Sequence, residues 1–300
     1  MNKEQLIQRI RTLTHPLEPV STGHATRLQK IRGIRCVAYD FYGTMFISAV
    51  GDIGVDEQQQ QQSPGWFVEA LEDSGFSISR PDVGPRGISI FEQTVENHVR
   101  RARDKGIEYP EPNIVAVWLD VLNELMESGD IRGDTSRSKA IQFGIEFEFR
   151  INDIWPVPNL SAVLGSLKNR GLELGIISNS QYYTPIAFEA LLNQSPASFG
   201  FNKELLIWSY ETGRKKPSTE LYSLFTEAAK REKLEPREVL YVGNDIRKDI
   251  EPAKELGLRT ALYVGDQRSI RHQPGDLKKT RYRPDLIVDD LSQINDCLST

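Results

Sequence analysis

Short apolar runs alternate with amphipathic stretches through the second half of the chain. Ile34-Arg35-Cys36-Val37-Ala38-Tyr39 is apolar and rich in β-formers, the pattern of a strand buried on both faces of a parallel sheet. Comparable runs at residues 172–178, 205–209, 238–243, 258–264 and 285–288 predict further strands. Between them, residues 159–170, 184–193, 218–232 and 249–256 carry helical periodicity, and a last helix is expected over about 290–298. This alternation predicts right-handed β-α-β units, hence an α/β fold: a Rossmann-like parallel sheet with helices on both faces.

The earlier half reads differently. Leu6, Ile7, Ile10 and Leu13 fall at helical spacing, so a short amphipathic helix is expected over residues 4–13. A loop with Pro16, Pro19 and Gly23 leads to the first strand. After that strand, about a hundred residues read as helical, with helices expected near 65–74, 89–105, 113–128 and 136–149. In the third of these, Ile114, Val117, Trp118, Val121, Leu122 and Leu125 form one apolar stripe, a packing face. The interval opens with Gly51-Asp52-Ile53-Gly54, then Glu57 and the tract Gln58 to Gln62 beside Ser63-Pro64-Gly65. A glutamine tract has nothing to bury, so a mobile loop is expected there. Pro156 and Pro158 mark the return. The division expected is a core of residues 1–48 and 156–300 with a helical insert at 49–155.

Composition narrows the function classes. A hydrophobic content of 39% over 300 residues supplies a core for one large or two moderate domains. A net charge of −5 gives no general attraction to nucleic acid or to an anionic membrane. No stretch approaches the ~20 apolar residues that span a bilayer, and Met1-Asn2-Lys3-Glu4-Gln5-Leu6 has no apolar run behind it, so no secretory signal is expected. Cys36 and Cys297 make no disulfide framework, and reduced thiols in the cytoplasm are expected. His15, His24, His98 and His272 show no metal spacing, and His98 is expected to pack on the helix at 89–105. Arg268, Arg271, Lys278, Lys279, Arg281 and Arg283 are interspersed with Asp266 and Asp276, which reads as a solvated loop and matches no nucleic-acid motif.

The chemistry lies at strand ends. Asp40-Phe41-Tyr42-Gly43-Thr44 follows the first strand, and Leu174-Gly175-Ile176-Ile177-Ser178-Asn179-Ser180 ends the second. Gly213-Arg214-Lys215-Lys216-Pro217-Ser218-Thr219 is a glycine turn with a lysine just before a helix start. Val239-Leu240-Tyr241-Val242-Gly243-Asn244-Asp245 is another buried strand, followed by Asp249. α/β proteins place their ligands at this carboxyl edge. In this order the four segments resemble those of the haloacid dehalogenase superfamily of hydrolases, over roughly residues 30–50 and 156–290.

The resemblance implies a role for each residue. Asp40 would be the nucleophile, attacking phosphorus or carbon as an anion, with the Phe41 and Tyr42 N–H groups turned toward the transferring oxygens. Thr44 would orient Asp40 through its hydroxyl. Ser178 would be the phosphate-binding hydroxyl, and Asn179 an added amide donor. Lys216 would neutralise the nucleophile and the transferring group, with Pro217 in the first helical turn and Arg214 and Lys215 solvated. Asp40, Asp245 and Asp249 would place three carboxylates together, which calls for a hard cation. Mg²⁺ is expected, bound by Asp40, Asp245 and the Tyr42 carbonyl, with Asp249 acting through water. The superfamily often has Asp where this chain has Asn244, so Asn244 competes with Asp245 for that role. The helical insert after the first strand corresponds to the superfamily's α-helical cap domain.

Tyr42 is the departure. The superfamily's phosphatases have a second aspartate there, which protonates the leaving oxygen and then activates water. A phenol with an ordinary pKa near ~10 is poorly matched to both tasks. The superfamily's 2-haloacid dehalogenases look like Asp-x-Tyr-Gly-Thr at this site and need neither general acid nor metal. For that chemistry a halide-binding cap arginine is wanted, with Arg86, Arg100, Arg101 and Arg103 available. The retained Asp245 and Asp249 favour Mg²⁺-dependent phosphoester hydrolysis of a small soluble metabolite. Dehalogenation, or a catalytically silent phosphate-binding module, are the alternatives.

Overall fold

The computed structural model describes residues 1–48, 57–270, 277 and 282–299. Helix α1 (Lys3–Leu13) is followed by strands β1 (Ile31–Arg32), β2 (Cys36–Tyr39) and β3 (Phe46–Ser48). Then come α2 (Glu57–Asp73), β4 (Ser77–Ile78), α3 (Val83–Arg103), α4 (Ile114–Glu127), β5 (Ile131–Arg132), α5 (Arg137–Ile151) and β6 (Ile154–Pro156). The chain continues through α6 (Leu160–Asn169), β7 (Glu173–Ser178), α7 (Thr184–Leu192), β8 (Phe201–Trp208), α8 (Ser209–Thr212) and α9 (Thr219–Arg231). It ends with β9 (Val239–Gly243), α10 (Glu251–Glu255), β10 (Arg259–Tyr263), β11 (Leu286–Val288), α11 (Ser292–Cys297) and β12 (Leu298–Ser299).

Six strands form one parallel sheet in the order β11-β10-β9-β2-β7-β8. Strand alternation divides their side chains between two cores. On one face Val37, Tyr39, Leu174, Ile176, Leu240 and Val242 pack with α1, α6, α7 and α11. On the other, Cys36, Ala38, Ile177, Val239 and Tyr241 pack with Leu221, Tyr222 and Phe225 of α9 and Ala253 of α10. The expected parallel sheet with helices on both faces is present. β2 lies at its centre, so its carboxyl end is flanked by those of β9 and β7.

Helices α2 to α5 build the α-helical cap around a separate aromatic core. Phe91 stacks on Trp118 at 4.3 Å, and Phe143 meets both Phe67 and Trp118 edge-on. The expected stripe on α4 is buried here, with Val117, Val121, Leu122 and Leu125 inaccessible to solvent. Two further strand pairs are antiparallel: β3 with β6, where the chain leaves and re-enters the core, and β4 with β5 inside the cap.

Several expectations change. The glutamine tract is helical, forming the first turns of α2 from Glu57. Glutamine is a good helix former, and burial of Phe67, Ala70 and Leu71 downstream anchors a helix that extends back past the exposed Gln61 and Gln62. The segment Gly51-Asp52-Ile53-Gly54 and the expected boundary at residue 49 lie outside the described residues, as do Arg271, His272, Lys278, Lys279 and Arg281. The helix expected at 249–256 begins as a wide π-type turn, Ile246–Ile250, because Asp245 accepts from the backbone N–H groups of Arg247 and Lys248. Pro217, expected in the first turn of α9, lies just before it, and Ser218 caps the helix. His98 pairs across to Asp120 of α4 at 2.8 Å. No described helix is long and apolar enough to cross a membrane.

A charged cluster ties α1 to the cap. Arg9 grips both oxygens of Glu146 on α5 at 2.6 and 2.7 Å and also reaches Asp73 of α2 at 2.5 Å. Arg150 bonds the same Glu146 at 2.7 Å, together with Asp73 and Glu69. On its other side α1 is held to α7 by Lys3–Glu189 and by Arg11 donating to the Ala190 carbonyl.

Candidate active site

Asp40 stands just past the end of β2, buried, with its N–H bonded to the Val242 carbonyl of β9 at 2.9 Å. The chain then turns sharply: the Gly43 N–H bonds the Phe46 carbonyl at 2.7 Å. Gly43 has φ +76°, and a Cβ there would lie 2.7 Å from the Asn244 amide nitrogen. Only glycine meets both demands without strain.

Lys216, from the loop before α9, reaches into this edge. Its Nζ lies 2.7 Å from an Asp40 oxygen and 2.7 Å from an Asp249 oxygen. All three side chains are buried. Burial works against the ammonium, but Asp249 and then Asp40 outweigh it and raise the lysine pKa. Burial pushes Asp40 up to about 6; Lys216 pulls the value down, and Asp249 adds to the rise. The Ser178 hydroxyl, at the end of β7, donates to the Asn179 carbonyl at 3.2 Å and also lowers the Asp40 pKa.

Asp249 is fully engaged. One oxygen meets Lys216 and the Tyr241 hydroxyl at 2.7 and 3.1 Å, and the other accepts from the Asn244 and Asp245 N–H groups at 3.0 and 2.9 Å. Asn244 is engaged as well, donating to the Ser269 carbonyl at 2.6 Å and accepting from the Thr44 hydroxyl at 3.3 Å. Asp245 uses one oxygen to cap the following turn, bonding the Arg247 and Lys248 N–H groups at 2.8 and 3.0 Å. Burial raises its pKa, as does the Asp249 charge.

The Tyr42 hydroxyl bonds the Thr184 hydroxyl at 2.9 Å at the start of α7. Burial drives this phenol far above its ordinary range, and the charge of Glu148 on α5 pushes the same way. Glu148, whose own pKa is raised by burial, accepts from Tyr183 at 2.8 Å and from Asn152 at 3.0 Å. Tyr42 is thus held neutral and cannot act as a base near neutral pH.

A family model described as haloacid dehalogenase-like hydrolase matches residues 34–257, a span that takes in Asp40, Ser178, Lys216, Asp245 and Asp249. The chain belongs to the haloacid dehalogenase-like hydrolases. Ribulose-1,5-bisphosphate 5-phosphatase of Halopiger xanaduensis is 27% identical over 143 residues, 48% of this hydrolase and 56% of that protein. Glyceraldehyde 3-phosphate phosphatase of Methanocaldococcus jannaschii is 33% identical over 141 residues, 47% of this chain and 55% of the other. The hydrolase therefore spans little more than half the length of the curated relatives it matches. A solved 2-haloacid dehalogenase from Pseudomonas syringae pv. Tomato DC3000 superposes with TM-score 0.58 at 18% identity, covering 88% of this chain and 97% of that one. That likeness shows a shared fold.

Three of the hydrolase's expected site side chains have protein partners. The Thr44 hydroxyl bonds Asn244, not Asp40, because Gly43 turns the chain toward the β9 loop. The Asn179 amide faces the Lys216 backbone, accepting from its N–H at 2.7 Å and donating to its carbonyl at 3.3 Å, so it fixes the lysine loop. Asp249 accepts from Lys216 and from two backbone amides. The hydroxyls of Tyr241 and Tyr222 around Asp249 went unread, since both tyrosines look like ordinary β-strand and helix core.

Among the described residues no three His, Cys, Asp or Glu side chains are grouped to hold a cation. Mg²⁺ needs no such cage, since it binds through one or two carboxylates and keeps several waters. Asp40 and Asp245 suit that pattern: both are partly desolvated carboxylates with raised pKa, and a cation would relieve both.

Proposed function

We propose that this hydrolase is a Mg²⁺-dependent phosphatase acting on a small phosphorylated metabolite of the sugar-phosphate kind, with Asp40 as nucleophile. The observation that carries the reading is Lys216, 2.7 Å from both Asp40 and Asp249 at the carboxyl edge of the central strand. Support for phosphate comes from the two relatives, whose names are those of sugar-phosphate phosphatases. Mg²⁺, when bound by Asp40, Asp245 and the Tyr42 carbonyl, would neutralise charge on the phosphoryl oxygens.

The chain's own residues carry the steps. An Asp40 oxygen attacks phosphorus, forming an acyl-phosphate as the bond to the leaving oxygen breaks. Lys216 remains protonated and offsets the charge on Asp40 and on the transferring group. Ser178 and the Phe41 and Tyr42 N–H groups are assigned to the phosphoryl oxygens. Asn179 and Asp249 hold Lys216 from its backbone and its ammonium. Water then cleaves the acyl-phosphate, releasing phosphate and restoring Asp40. Tyr42, held neutral, leaves the proton transfers to groups outside the pentad. Residues 49–155 are assigned to the cap, which excludes water and selects the substrate, and 1–48 with 156–300 to the core. A cytoplasmic setting belongs to the same reading and is supported by Cys36 and Cys297, both buried and unbridged.

Tyr42 favours one second reading, 2-haloacid dehalogenation. The test is release of phosphate from an activated aryl phosphate, glyceraldehyde 3-phosphate and ribulose bisphosphate with Mg²⁺, beside halide release from 2-haloacids with chelator. Activity on phosphate esters that vanishes with chelator or with Asp40→Asn supports the proposal. Phosphatase activity unchanged by both treatments refutes it, and halide release in chelator replaces it with the second reading. Binding of a phosphate mimic and Mg²⁺ without any turnover would leave a silent binding module.

A further inference from the structure

The cap touches the catalytic edge at a second place, remote from the β3–β6 connection. Between α3 and α4, Tyr109-Pro110-Glu111-Pro112 runs beside the loop that carries Lys216. The Glu111 N–H bonds the Gly213 carbonyl at 3.0 Å, and the Lys215 N–H bonds the Tyr109 carbonyl at 2.9 Å. Two prolines keep this segment extended, which suits it to antiparallel pairing of this kind.

The Glu111 side chain turns toward the other catalytic loop. One oxygen accepts from the Gln181 amide at 2.8 Å, and the second accepts from the Ser209 hydroxyl at 2.9 Å. Gln181 also donates to the Pro112 carbonyl at 3.0 Å and accepts from the Ile114 N–H at 3.2 Å. The Ser209 oxygen in turn receives the Ser180 N–H at 2.8 Å. Ser180 and Gln181 directly follow Ser178 and Asn179, and Asn179 clasps the Lys216 backbone.

We propose that Glu111 is a positioning residue, a cap-borne carboxylate that sets the separation of Ser178 and Lys216 about Asp40. It holds the Ser178 loop through Gln181 and Ser209, while its own backbone holds the Lys216 loop. Both loops are in register only when the cap segment is seated between them. Cap seating and assembly of the site are one event. The proposal rests on Asp40 and Lys216 as the reacting pair, but its geometry is independent of the substrate.

The test uses the full chain with Glu111→Ala and Glu111→Gln, the latter keeping size and one acceptor oxygen. With an aryl phosphate and Mg²⁺, Glu111→Ala is expected to lower kcat by about 10- to 100-fold, with KM changed much less, as displacement of reacting groups does. Glu111→Gln should recover part of the loss. Amide hydrogen exchange gives a readout that needs no turnover: Ser180, Lys215 and Lys216 should exchange about tenfold faster in Glu111→Ala, the loss of roughly one hydrogen bond, while β9 and β10 amides stay unchanged. Unchanged kcat with unchanged exchange overturns the proposal. So does acceleration spread through the sheet with a lowered melting temperature, since that marks a general structural role. If the parent protein turns over no phosphate ester yet these three amides loosen selectively, the positioning role stands and the phosphatase reading falls.

Discussion

Asp40→Asn should stabilise this protein while abolishing its activity, and the pH dependence tells why. Burial, opposed by Lys216 and reinforced by Asp249, pushes the carboxyl from an ordinary 3.8 up to about 6. A folded-state pKa above the unfolded value means that ionisation disfavours the folded state. The stabilisation linked to this group is therefore complete below about pH 4 and is lost as pH rises through about 6. The difference of about two pH units corresponds to about 3 kcal/mol at pH 8. Asparagine has the shape of the neutral acid and no charge to desolvate. Its carbonyl oxygen can still face Lys216, and Lys216 keeps its second partner at 2.7 Å, Asp249, so no buried cation is left alone. Denaturant titrations in chelator, at pH 4.5 and pH 8, measure the effect without a cation to offset the carboxylate. The variant should exceed the parent by about 3 kcal/mol at pH 8 and by well under half of that at pH 4.5. A variant no more stable than the parent at pH 8, or one whose advantage is equal at both pH values, would refute the reasoning.

Tyr42→Asp should raise the aryl phosphatase rate by about 100-fold if proton transfer limits turnover, even though it gives up the 2.9 Å bond to Thr184; an unchanged kcat would show that another group already serves. At Gly243 a Cβ would fall 2.4 Å from two carbons of Asp249. Gly243→Ala should therefore displace Asp249 and release Lys216, costing about 1–3 kcal/mol and most of kcat, and unaltered kinetics would contradict the assigned tether. Arg9→Ala leaves buried Glu146 with Arg150 alone, which should cost about 1–3 kcal/mol, less than loss of a sole partner. Thermal melts and protease susceptibility of the cap check it, and an unshifted melt would show that the cluster contributes nothing.

The sheet was legible because its strands are buried on both faces, so each reads as an unbroken apolar run. The cap helices were legible from the stripe on α4 and its like. What escaped was structure with little local signal. Strands β1, β4, β5 and β12 are two residues long, and their pairing rests on partners distant in sequence. The glutamine tract failed for the opposite reason, since composition argues for a loop while the helix behind it supplies the anchor. In the site, spacing brought Asp40, Ser178, Lys216, Asp245 and Asp249 to one edge but could not say which contacts each would use. Asn179 could donate to a ligand or to backbone, and only the nearness of the Lys216 loop decides. Glu111 belongs to no motif. Its one trace is the pair of prolines beside it, which marks an extended segment inside an otherwise helical stretch.

The pairing of β1 with β12 has a consequence for biosynthesis. Ile31 and Arg32 lie beside Leu298 and Ser299 in parallel register. At roughly 5–20 residues per second, β1 leaves the ribosome on the order of 15–50 s before its partner strand exists. The apolar face of α1, Leu6, Ile7 and Ile10, waits in the same way for α7 to be made. Both segments are thus made well before the partners that cover them. During that interval they present uncovered apolar surface, and a holding chaperone would have most to protect there.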